Sequence, residues 1–425
     1  MRKFTKFAAA AAAFTLAATS FGCSAPGAVT IGSGTKTALT VDGYDIRAGI
    51  FIYNELSAYD EAAYKIAQKD GAYPSADDIE NSRIDDLDAS DWIQDKATEY
   101  CRQFVATERE FEKVNGSLTA DDYTKIDEAV ASAKEQDFLG DNGIGEQSIR
   151  DLYENNYKLK YLFDYYYGID KQYGCSEQEL KDYYKDNTAR IKYLSISLSD
   201  SEGNKLEGDE LREIEKKIDG YVNQINSVSG DEEKFKEFDK VKADYEEYQK
   251  KKQEEATSEA AAEDGSTTDT TVTTTTAADD AWSNEDTTTT TTTTDPFANE
   301  VTLAKYTSTT APVGEAVEVT TSEPTDAEKA STAFNDKVFN DLENYKAVRY
   351  DYDSATAYIL IKADIEKRMT SDDLWSDEVK ENTLNKRYSQ DFQDMMKSLA
   401  DTLSVNKNKK AYKRYAPFKL DLEQS

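Results

Sequence analysis

Ser176-Glu-Gln-Glu-Leu-Lys-Asp-Tyr-Tyr184, followed four residues later by Ala189-Arg-Ile-Lys-Tyr-Leu-Ser-Ile-Ser-Leu198, is where the chain changes its period. In the first stretch Ser176 stands three residues before Glu179, the reciprocal pattern that satisfies free backbone N–H groups at a helix start. The second stretch is β-rich. Ile191 and Tyr193 alternate, and after a break in strict alternation come Ile196 and Leu198, then the turn Asp200-Ser-Glu-Gly203. A helical region therefore ends near residue 188 and a different domain begins at Ala189.

Upstream, the period stays helical back to Leu39. After a strand-like entry over residues 38–44, Ile46, Ile50, Tyr53, Asn54 and Ser57 open one helix. Asp91 reads as the N-cap of a second that runs to Lys113, with Trp92, Ile93, Tyr100, Phe104 and Phe111 on one stripe. A third is expected over 120–138. A fourth, over 146–167, carries Ile149, Leu152, Tyr153, Phe163 and Tyr167 on one side. Residues 38–188 thus read as an all-helical module.

Downstream, two charged helices are expected at 208–226 and from 231 to about 256, and a terminal hairpin at 348–352 and 358–362. Strand, helices and hairpin make a small α+β domain over 189–362. Residues 257–294 interrupt it. They hold 17 Thr in 38 residues, cannot bury a core and read as a disordered insert. Residues 363–425 supply a long helix over 372–403, with Trp375, Val379, Tyr388, Phe392, Met395, Met396, Leu399 and Leu403 on its apolar side. Lys407, Lys409, Lys410, Lys413 and Arg414 follow as an internal salt-bridging tail. The fold class is mainly α with a small α+β domain and a long C-terminal helix.

Composition removes several function classes. The 425 residues contain 84 acidic and 51 basic side chains, a net charge of −33, and no histidine. Ser-His-Asp and Cys-His systems need an imidazole to take a proton near neutral pH, and catalytic zinc sites are built mostly on His. Strong negative charge disfavours nucleic acid, whose binding is driven by Lys and Arg releasing counterions. No phosphate-binding or dinucleotide glycine motif occurs, and no cofactor is expected. Asp85-Asp86-Leu87-Asp88 and residues 137–146 lack the spacing of a calcium loop, so they read as solvated acidic surface and no metal is expected. The 28 Tyr and 16 Phe nevertheless require folded domains.

The N-terminus reads as an export signal over residues 1–22. Arg2, Lys3 and Lys6 precede an apolar stretch over 7–19 that is too short to span a membrane. Ser20-Phe21-Gly22-Cys23 resembles a bacterial lipobox, which makes Cys23 the lipidated first residue of the mature chain and leaves a charge of −36. Residues 23–37 form a small, polar tether. The expected location is the outer face of a bacterial cell membrane, through a lipid anchor. Cys101 and Cys175 remain, either paired in an oxidising exterior or as two thiols.

This order resembles the PrsA/SurA foldase family of exported chaperones. The resemblance rests on Val41-Asp-Gly-Tyr-Asp-Ile46, the 176–184 and 189–196 stretches, and Ala357-Tyr-Ile-Leu-Ile-Lys362. It implies a helical N-terminal chaperone module, a parvulin-type prolyl isomerase domain, and a C-terminal helix that returns to the N-terminal module. Parvulins place one histidine in the first strand and one in the last; Tyr193 and Ile359 stand at those positions here, and the family's glycine-rich central block is missing. The resemblance therefore implies a degenerate parvulin kept as a binding surface, with no catalytic residue to assign. The partners it implies are unfolded or newly exported polypeptides.

Tyr161, Tyr165, Tyr166 and Tyr167 are the densest aromatic cluster, with Tyr183 and Tyr184 nearby. They are the candidate client-binding residues. Two other functions fit the sequence: an active prolyl isomerase with a non-histidine pocket, and a non-catalytic cell-surface interaction lipoprotein.

Overall fold

The computed structural model describes residues 29–200, 203–263, 299–305 and 326–422. The export signal, Cys23 and most of the Thr-rich insert lie outside the described residues. In chain order the first half contains β1 (Thr37–Val41), β2 (Tyr44–Arg47), α1 (Ala48–Asp70), α2 (Ala76–Glu80), β3 (Arg83–Ile84), β4 (Leu87–Asp88), α3 (Ala89–Lys113), α4 (Ala120–Ala133), α5 (Asp137–Asp141), α6 (Glu146–Tyr167) and α7 (Glu177–Asn187). The rest contains β5 (Thr188–Ser197), α8 (Gly208–Ser227), α9 (Asp231–Glu263), β6 (Val301–Ala304), α10 (Asp326–Asp336), β7 (Val348–Asp351), β8 (Thr356–Ala363), α11 (Asp377–Asp401), β9 (Val405–Lys407) and α12 (Lys409–Arg414). Two units result: residues 1–180 with 380–425, and residues 181–379.

The first unit is helical but not all-helical. It carries a three-stranded sheet in the order β2-β1-β9. Asp42 and Gly43, both at positive φ (48° and 83°), turn β1 into β2. On the other edge of β1, Leu39, Thr40 and Val41 pair with Lys407, Asn406 and Val405. The partner strand is supplied by the chain's far end, so no local pattern announces it. Its core joins Ile46 of β2, Phe51 and Ile52 of α1, Ile93 and Val105 of α3, and Tyr412, Tyr415 and Leu420 from the C-terminal segment.

Several expected boundaries move for identifiable reasons. Asp88 rather than Asp91 is the N-cap of α3, which starts at Ala89. The helix expected over 120–138 breaks after Ala133. Ile126, Val130 and Ala133 form its buried stripe, and continued helix would carry Phe138 about 80–140° away from its members; the break lets Phe138 and Leu139 turn back into the core. α6 has the expected bounds, and Ser176 and Glu179 make the expected cap: Oε2 of Glu179 accepts from the Ser176 N–H (2.9 Å) and hydroxyl (2.8 Å). Cys101 and Cys175 are both free, buried thiols.

The tail after α11 is held mainly by backbone pairing and packing. Lys407 does pair with Asp95 at 2.7 Å. Arg414 donates to the Thr30 carbonyl, and the Tyr415 hydroxyl lies 2.7 Å from Thr35 Oγ1.

The second unit is a four-stranded antiparallel sheet in the order β6-β5-β8-β7. Helices α8 and α9 cover one face through Ile214, Ile218, Phe235 and Phe238. Phe334 of α10 and Val338 of the following π-helical turn, Lys337–Asp341, cover the other. β5 is central and covered on both faces, which is why residues 188–192 are all buried and strict alternation fails.

Arg190 and Lys192 of β5 are buried as well, 1% and 0% exposed. Arg190 meets Glu300 at 2.6 Å, and Arg368 reaches the same carboxylate at 2.8 Å. Lys192 meets Asp239 at 2.7 Å and the Phe235 carbonyl at 3.1 Å.

Two expectations are corrected in this unit. α9 continues to Glu263, so the first seven residues of the 257–294 stretch are helical. The long helix starts at Asp377, not at Asp372. Residues 370–376 form turns instead, with the Trp375 N–H on the Thr370 carbonyl (3.0 Å), and Trp375 is buried off the helix. Among the described residues no helix is long and apolar enough to cross a membrane.

Candidate polypeptide-binding surface

The end of α6 carries two aromatic stripes at i, i+4 spacing. Phe163 and Tyr167 stack on each other at 5.9 Å and face α11, where Phe392 lies 5.4 Å from Phe163 and Tyr388 lies 5.5 Å from Tyr167. These contacts join the C-terminal helix to the N-terminal module. Tyr161 and Tyr165 form the second stripe, stacked at 6.2 Å, with Tyr161 edge-on to Phe111 of α3 at 5.1 Å.

Tyr166 sits between the stripes. Its hydroxyl donates to Glu110 Oε1 at 2.5 Å, and Lys113 holds the same carboxylate at 2.9 Å. Burial, then the Glu110 contact, pushes the Tyr166 hydroxyl well above the usual tyrosine range, so it stays a neutral donor.

After α6 the chain folds back on itself. The Tyr173 N–H donates to the Tyr166 carbonyl at 2.8 Å, and the Asp170 N–H, with Asp170 at φ 58°, donates to the Cys175 carbonyl at 2.9 Å. A Cβ on Gly174 would lie 1.9 Å from the Gly168 carbonyl oxygen, so only glycine lets the loop close. That closure lays Tyr173 on Tyr166 (5.7 Å) and beside Tyr167 (5.6 Å).

The result is a continuous aromatic ladder from Phe111 to Phe392 in which two rings, Tyr165 and Tyr173, face solvent. Tyr165 is 43% and Tyr173 46% exposed, whereas Tyr166 and Tyr167 are buried. The six tyrosines singled out in the sequence therefore do not form one patch. Tyr161 is half-buried, and Tyr166 and Tyr167 are packing residues that support the patch from beneath. Tyr183 and Tyr184 belong to the second unit, where Tyr184 is buried against Trp375 at 5.7 Å. Tyr173 escapes sequence reasoning because it sits in an irregular loop. The glycines on either side, Gly168 and Gly174, were its one signal.

Tyr193 and Ile359 do not share a pocket. Tyr193 pairs across the strands with Leu360, and Leu194 with Ile359. Because successive strand residues point to opposite faces, Ile359 enters the core under α8 and α9 while Tyr193 faces the other side. Tyr193 meets Tyr358 at 5.7 Å there, and Phe334 packs edge-on against Tyr350, Tyr352 and Tyr358. The crevice left beside Tyr193, Ile191, Leu303 and Phe334 measures about 10 Å³. That is the space of one water at most.

A larger cleft of about 600 Å³ lies in the first unit between β2 and the start of α6. Lys36, Asp45, Arg47 and Asp151 line it, with Arg47 and Asp151 in an ion pair. Its lining mixes these charges with the apolar side chains of Ile31, Tyr44 and Ile50. Among the described residues no cluster of metal-ligating side chains occurs. The chain matches no family model, no curated protein and no solved structure.

Proposed function

We propose that the protein is an exported, lipid-anchored chaperone of the PrsA/SurA type that binds unfolded polypeptide and has little or no prolyl isomerase activity. The observation that carries this reading is the discontinuous first unit: residues from both ends of the chain build one helical module, and the α+β unit is inserted between them in the sequence. That is the arrangement implied by the family resemblance, and the strand–helices–strand–hairpin order of the inserted unit supports it further.

The binding surface is the ladder on α6. Exposed rings at Tyr165 and Tyr173 take up apolar side chains without demanding a sequence, at about 25 cal/mol per Å² removed from water. Their hydroxyls stay wet at the rim. The buried rings below hold the exposed pair rigid, so little side-chain entropy is lost on binding.

Lowering the barrier of about 18–20 kcal/mol to amide rotation needs a pocket that prefers the twisted amide. The second unit offers a packed aromatic face where that pocket is expected. The test is aggregation of a chemically denatured substrate, followed by light scattering, with the mature chain added at increasing ratio. Suppression that saturates near stoichiometry supports the reading; unchanged scattering at a tenfold excess overturns it.

A further inference from the structure

We propose that the C-terminal segment of the first unit, residues 405–422, is a pH-sensitive latch, seated over the buried carboxyl of Glu55 and loosened when that carboxyl ionises. This goes beyond the chaperone reading and does not depend on it.

Glu55 of α1 is fully buried, and neither of its oxygens has a partner in good hydrogen-bond geometry, the Gln94 amide acting on it only as a weak donor. The surrounding groups come from three elements. On α1, the Phe51 ring packs tilted against Tyr412 at 4.5 Å and Asn54 donates to Cys101 Sγ at 3.3 Å. On α3, Gln94, Thr98 and Cys101 share one face. Gln94 donates to the Tyr412 carbonyl (2.9 Å), and Thr98 Oγ1 lies 2.7 Å from the Tyr412 hydroxyl. On α12, Tyr412 closes the site. Gln94, which acts on the Glu55 carboxyl, thus also holds Tyr412 of the latch, and Glu55 lies close enough to Tyr412 to act on its hydroxyl.

The titratable groups that face this site do not stabilise a carboxylate. Burial pushes the Cys101 thiol up to about 12 and raises the Tyr412 hydroxyl above its usual range, so both stay neutral. Asp95 also acts on Tyr412, with the same sign as Glu55. Of the basic side chains of the latch, Lys407 is paired with Asp95 and lies over the Tyr412 ring at 5.1 Å, and Arg414 and Lys419 donate to the carbonyls of Thr30 and Lys413. Burial therefore holds the Glu55 carboxyl well above the usual carboxylate range, with the Gln94 amide as the lesser, opposing influence.

The direction of the effect follows from linkage. Once the latch opens, Glu55 meets water and loses its proton at the ordinary value of 4.5. Between that value and the raised one, rising pH favours the open state, because only the open state releases the proton. The latch is tightest in acid and loosens as pH rises. Opening strips β9 from the edge of β1, leaving Leu39–Val41 main-chain groups free to pair with another extended segment.

The test is hydrogen exchange of the full mature chain from pH 5 to pH 8, with rates corrected for intrinsic exchange. Peptides spanning residues 405–420 should show an opening constant that rises at least tenfold over this range, while peptides from β5 and β8 of the second unit stay flat. Glu55→Gln, which carries no proton to lose, should make the 405–420 peptides flat as well. Glu55→Met serves the same purpose if the amide variant folds poorly. A wild-type latch that shows no pH dependence overturns the proposal, as does a variant that keeps it. So does an opening shared equally by every peptide of the first unit, because that is global unfolding and not a latch.

Discussion

Tyr193 and Ile359 lie on adjacent strands of one sheet and point to opposite faces of it. Two groups on opposite faces cannot grip one amide. Among the described residues no pocket of this unit is lined by both side chains, and Phe334 packs against the face of Tyr193 and Tyr358.

This placement predicts how histidines behave at these sites. Ile359→His puts an imidazole into an apolar core where the side chain is fully buried, and should lower stability by about 2–4 kcal/mol. Tyr193→His, half-buried on the other face, should cost less than about 1.5 kcal/mol. Urea unfolding followed on the second unit separates the two. Equal costs would contradict the register.

The aromatic ladder predicts a split between binding and stability. Tyr165→Ala with Tyr173→Ala should reduce suppression of substrate aggregation severalfold while changing stability by less than about 1 kcal/mol. Tyr167→Ala should cost about 3 kcal/mol or more, because the ring packs against Phe163, Tyr388 and Phe392. Aggregation assays and thermal melts on the same samples read both quantities.

A third expectation concerns the charge network of the second unit. Glu300 is 2% exposed and serves both Arg190 and Arg368. Glu300→Ala leaves Arg190 buried without its carboxylate, which should cost about 3–5 kcal/mol. Chemical denaturation measures the loss, and a cost under about 1 kcal/mol would show that the network is dispensable.

The C-terminal segment is an integral part of the first unit's core. Tyr415 is fully buried. Tyr415→Ala should therefore cost about 3–5 kcal/mol, and Tyr415→Phe, which removes only the hydroxyl 2.7 Å from Thr35, about 1 kcal/mol. A segment that merely lay on the surface would tolerate both changes, as urea midpoints would show.

Much of the fold was legible in local pattern. The bounds of α6, the Ser176–Glu179 cap and the 348–363 hairpin each follow from periodicity or capping chemistry within about 20 residues. What escaped depends on distance along the chain. β6 is four residues long and pairs with a strand more than 100 residues earlier, and β9 is three residues inside a basic stretch. Neither can announce itself without its partner.

The site was legible in part for the same reason. Composition located a tyrosine cluster at the end of α6. Which rings face water was decided by α3 and α11, both distant in the sequence, and by the irregular loop after α6 that closes at Gly174. Tyr193 and Ile359 both lie on strands, as the local pattern predicts, but only the cross-strand register shows that they diverge.

The measurement that bears most directly on the account is refolding of a substrate whose slow step is a prolyl cis/trans change, with and without the mature protein, recording rate and final soluble yield. The proposed function predicts a higher yield at an unchanged slow rate. An accelerated slow phase would contradict it and make the protein an isomerase, and an unchanged yield would remove the chaperone reading altogether.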